Sequence, residues 1–85
     1  MSTSAPLGNH RYRQASDILG VLISHYTAII SHELGQPQPN PDVLRSARHA
    51  RDQLNALRDG LEPQDSQQID TILAEYGPLA ATLGH

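Results

Sequence analysis

The chain contains no cysteine, tryptophan, phenylalanine or lysine, and only three tyrosines. Without cysteine it has neither disulfides nor thiolate metal ligands, two staples on which small domains often rely. Without large aromatics its core has to be built from Leu, Ile, Val and Ala. In 85 residues such a core is thin, because a chain this short buries only about 60–65% of the surface its unfolded form exposes. Association is one way to add burial. Every basic residue is arginine and the net charge is −3. That balance excludes a general polyanion binder, which carries a strong positive excess. The arginine-only set, with abundant Ala, Gly and Pro, fits a GC-rich genome. The opening MSTSAPLGNH has no basic segment followed by an apolar one, so no secretory signal is expected and a cytoplasmic location is.

What the chain does have is one apolar stretch, Ile18–His32, fifteen residues free of Asp, Glu, Lys and Arg. It is too short and too rich in His, Ser and Thr for a membrane span, which needs about 20 apolar residues. No membrane partner is expected. At 100° per residue its apolar side covers an arc of about 200°. Ile18, Leu19, Leu22, Tyr26, Ile29 and Ile30 lie near the middle of that arc, and Val21, Ile23 and Leu34 flank it. Gly20, Ser24, Thr27 and Ser31 form a weakly polar strip on the far side.

These patterns predict an all-α, up-down bundle of three helices over about 11–34, 41–59 and 64–76, followed by a short helical piece. Residues 1–10, rich in Ser, Thr, Pro, Gly and Asn, are expected to be a disordered arm preceding a single domain over 11–85. Gly35 should stop the first helix as a C-cap. Asn40-Pro41-Asp42 should start the second: an N-cap, a proline in the first turn and an acid beside the helix N-terminus. In that helix Val43, Ala47, Ala50, Leu54, Leu57 and Leu61 alternate at spacings of four and three, a narrow packing seam. Asp65, with Gln68 three residues on, should cap the third helix. Ile69, Ile72, Leu73 and Tyr76 mark its inner face, and Gly77-Pro78 should end it before Leu79 and Leu83 fold onto the bundle.

No constellation for catalysis is visible. His25 and His32 share a helix face but stand about 10.5 Å apart along the axis, too far to ligate one metal together. His32-Glu33 is not an HExxH motif, because residue 36 is Gln. The serines have no nucleophile-elbow context, and there is no phosphate loop or cofactor fingerprint. The chain is therefore expected not to be an enzyme and to carry no cofactor or metal site. Glu33, inside the apolar arc by phase, should reach solvent or Arg45. Arg48 and Asp52 have the spacing of a helical ion pair, and Asp70 and Glu75 should face outward.

The first helix has more apolar surface than two short helices need to cover. The expected function is thus a non-catalytic protein–protein interaction module of the adaptor, chaperone or inhibitor type. It should pair with itself as a homodimer and with another protein, through Ile23, Tyr26, Ile30 and Leu34. The alternative is a small nucleic-acid-associated regulator that lays Arg11, Arg13, Arg45, Arg48 and Arg51 along phosphates. Against it, the second helix carries four Arg and three Asp between residues 42 and 59, a mixed and largely self-compensating set. Charge is also segregated along the chain: four acids and no Arg follow Leu61, while two Arg and no acid lie in the first sixteen residues.

Overall fold

The computed structural model describes the backbone of residues 5–84 and the side chains of residues 10–83. It is an all-α bundle of three helices, α1 (Ala5–Leu34), α2 (Pro41–Asp59) and α3 (Ser66–Gly84). Residues 1–4 of the expected arm lie outside the described residues. The rest of that arm is helical, so α1 begins well before the His10 or Arg11 expected. Gly8 and Asn9 are weak helix formers and conceal the extension. Pro6 does not oppose it, because in a first turn its missing N–H leaves no bond unmade.

The second helix has the limits expected of it, and the reason is local. Asn40 Oδ1 accepts from the backbone N–H of Asp42 at 2.9 Å and of Val43 at 3.4 Å, satisfying two of the donors a helix start leaves free. At the other end Gly60 sits at φ −89°, ψ −2° and donates to the Ala56 carbonyl. No described glycine has positive φ, so Gly35 and Gly60 stop their helices without the left-handed turn that favours glycine. Glu33 does not reach Arg45. Its Oε2 accepts the Asn40 N–H at 2.9 Å and closes the proline-containing loop, while Arg45 bonds Asp42 at 2.8 Å. A first-turn acid three residues away is the nearer partner for that guanidinium.

The third helix differs most from expectation. Asp65 does cap it, accepting from Gln68 N–H at 3.1 Å. But α3 passes through Gly77-Pro78 without a break and has Pro78 in its interior. One obstacle, the clash between the proline ring and the Cβ of the preceding residue, is absent here because Gly77 has no Cβ. The separate C-terminal piece is therefore the continuation of α3.

Both shorter helices pack on α1, and among the described residues no Cα of one comes within 8 Å of a Cα of the other. Helix α2 runs antiparallel to α1, from the Glu33–Asn40 bond down to Arg58, whose Nη1 would stand 3.7 Å from a Cβ at Gly20. Helix α3 runs parallel to α1. Arg11 pairs with Asp70, which faces outward as expected, and two turns further on Ile18 lies against Gly77. In that register Gly84 stands level with His25, so the last turns of α1 have only α2 beside them. The core gathers Ala15, Leu19, Leu22, Leu54, Leu61, Ile69, Ile72 and Ala80, with Leu19 and Ile72 wholly enclosed. The result is elongated, 59 × 25 × 19 Å. Its radius of gyration of 15.4 Å exceeds the roughly 12 Å of a compact chain this long.

Candidate interaction surface

Two helices that each pack on a third, without closing on each other, leave a trench along it. Its floor is Leu22, Tyr26 and Ile29 of α1; one wall is Val43, Ala47, Ala50 and Leu54 of α2, and the other is Tyr76 and Leu79 of α3. Two depressions occupy this trench and share Tyr26 and Ala50. The one between all three helices encloses about 140 Å³, well below the roughly 300 Å³ at which small-molecule sites begin. It is sized for an inserted side chain. The other lies beyond the end of α3 and is open on that side. The His25 ring stands edge-on to Tyr26, 5.2 Å between centroids and 73° between planes, a favourable aromatic geometry.

The four residues expected to bind a partner do not form one patch. Tyr26 is half-buried at the junction of the two depressions. Ile23 is also half-buried, but borders a different furrow with Gly20, Ser24 and Arg58. Ile30 is only 7% exposed; its side chain is consumed within the chain and is not available to a partner. Leu34 is 52% exposed at the end of α1. Ala50, Tyr76 and Leu79, expected in seams within the bundle, line the trench instead, and Leu83 does not fold onto the core. Leu79 is 54% and Leu83 42% exposed.

The arginines are scattered and mostly paired. Arg11 is held by Asp70 at the α3 end of the molecule, and Arg45 by Asp42 near the opposite end. Arg51 turns to its neighbour Asp52 at 3.4 Å, so the expected Arg48–Asp52 pair does not form. Arg13 and Arg48 make no ion pair among the described residues. Along α1 the two groups are separated by about 28 Å, at 1.5 Å per residue from residue 11 to the level of residue 30. No continuous basic stripe results.

The histidines are equally dispersed. His32 meets Gln36 at 3.4 Å, and His49 lies on the outer side of α2 with Asp42 and Arg45. Among the described residues no three His, Cys, Asp or Glu side chains stand close enough to hold a metal ion. No described helix is long and apolar enough to cross a membrane. Compared with known proteins, the chain matches no family model, no curated protein and no solved structure.

Proposed function

We propose that the protein is a non-catalytic protein–protein interaction module, of the adaptor, chaperone or inhibitor type, and that the trench between α2 and α3 is its working surface. The observation that carries this reading is the unfilled apolar line of Tyr26, Ile29, Ala50, Tyr76 and Leu79, at a place where a third neighbour for α1 is missing. A groove of this kind accepts the apolar face of another helix, which inserts residues at i, i+3 or i+4 and i+7. A second copy of the chain is the occupant at hand, and burying both trenches against each other would give each thin core the third layer it lacks.

Sedimentation velocity at micromolar concentration tests the reading. The expected species has twice the 9.3 kDa of the chain, and Leu79→Asp returns it to the monomer by placing an unpaired charge in the interface. A strict monomer for the unmodified protein overturns self-association.

A further inference from the structure

Beyond Pro78 the core-facing side of α3 keeps its helical phase but passes from large residues to a small one. Ala80 is 7% exposed and faces α1, whereas the two large side chains of the same segment, Leu79 at 54% and Leu83 at 42%, look into water. Elsewhere in the helix the large residues take the core, as Ile69 and Ile72 do at 2% and 1%. The change of pattern coincides with three local weaknesses. Pro78 has no N–H to give the carbonyl four residues back. Gly77 adds backbone freedom directly before it. Thr82 Oγ1 donates to the Pro78 carbonyl at 2.9 Å, a back-bond of the kind that bends helices.

We propose that Gly77-Pro78 is a hinge and that Leu79–Gly84 is a flap over the trench, which closes it by turning Leu79 and Leu83 inward beside Tyr26. The described form is the open one. Leu79 already stands at the mouth of the 140 Å³ depression with Leu22, Tyr26, Ala50, Leu54 and Tyr76 around it. Closing needs a turn of the segment about its own axis by less than the ~100° between successive helical residues. It exchanges the burial of Ala80 in the core for burial of two leucines. The occupant of the closed trench is thus the end of the chain's own α3. A partner entering the trench competes with it, which makes the flap an autoinhibitory device. Only that consequence rests on the reading of the trench as a docking surface; the hinge itself does not.

The absence of native cysteine makes a single thiol at Leu83→Cys a clean reporter. In dilute protein, below any self-association, this thiol should react with a maleimide several-fold more slowly than in a Pro78→Ala background, where the restored helix holds it outward. Relaxation dispersion in the protein without substitutions should show microsecond-to-millisecond exchange at Leu79, Ala80 and Tyr26, and Pro78→Ala should abolish it. Flat dispersion at those residues overturns the flap. So does exchange that persists in Pro78→Ala, because fraying of the helix end would survive that substitution and a hinge would not. Sedimentation is read separately: a strict monomer with an exchanging flap removes the docking reading and leaves the hinge.

Discussion

The two halves of α1 live in different surroundings. Between Tyr12 and Leu22 the helix has α3 on one side and the end of α2, continued by Leu61, on the other, and Ala15 and Leu19 are fully enclosed. Between Tyr26 and Leu34 it has α2 alone. There Ile30 and Ala47 are buried at 7% and 4%, apart from the main core, while Tyr26, Ile29 and Val43 are only half-covered. The apolar arc runs through both halves. Its fate therefore depends on how many neighbours it meets and not on its composition. One neighbouring helix covers a narrow stripe, and an arc of about 200° needs at least two.

The sharpest way to test the contrast is to remove equivalent bulk from each half. Leu19→Ala should cost about 2–5 kcal/mol, as large-to-small changes in closed cores do. In a domain of this size that lowers the melting temperature by on the order of 10 °C or more. Ile29→Ala, measured in dilute protein, should cost about 1 kcal/mol, because its side chain is only partly buried. Equal losses in urea titrations of the two variants would erase the distinction. At higher concentration the order of effects should change for association: Ile29→Ala weakens the dimer, while a folded core variant leaves it intact.

Smaller effects probe how the open half is held in place. Asn40→Ala removes the acceptor for two backbone donors and should cost about 1 kcal/mol, while Asn40→Gly costs only a few tenths. A loss above that range would mean that the α1–α2 loop as a whole depends on the cap. Least should come from the closed half's surface pair. Arg11 and Asp70 are both well exposed, so Arg11→Ala should change stability by at most about 0.5 kcal/mol, less at high salt. A larger, salt-insensitive loss would show that Arg11 anchors α3 through packing of its stem.

Much of this architecture could be read from the chain, and the parts that could were decided over short distances. The cap at Asn40 acts on residues two and three positions away, so the start of α2 is visible in Asn-Pro-Asp. The spacing of Ala47 and Leu54 reports a seam because helical phase alone brings them to one face, whereas Leu61 reaches the core from beyond the end of α2. The third helix was harder. Pro78 argues for a break on local grounds, and Gly77 quietly removes the steric objection. The interaction surface was harder still: Ile30 and Tyr26 share the same arc, yet one is buried and the other lines a trench.

The chain by itself settled that there are three helices, where α2 begins and ends, and which side of α1 is apolar. Each follows from hydrogen bonds and phases spanning a few residues. Tertiary structure alone decided that α3 runs alongside only the first part of α1, that Glu33 closes the loop at Asn40, and that Asp70 finds Arg11. These depend on the register between helices distant in sequence, a sum of many weak packing terms that no single motif records. The same register leaves Leu19 and Leu22 enclosed and Tyr26 and Ile29 half-open.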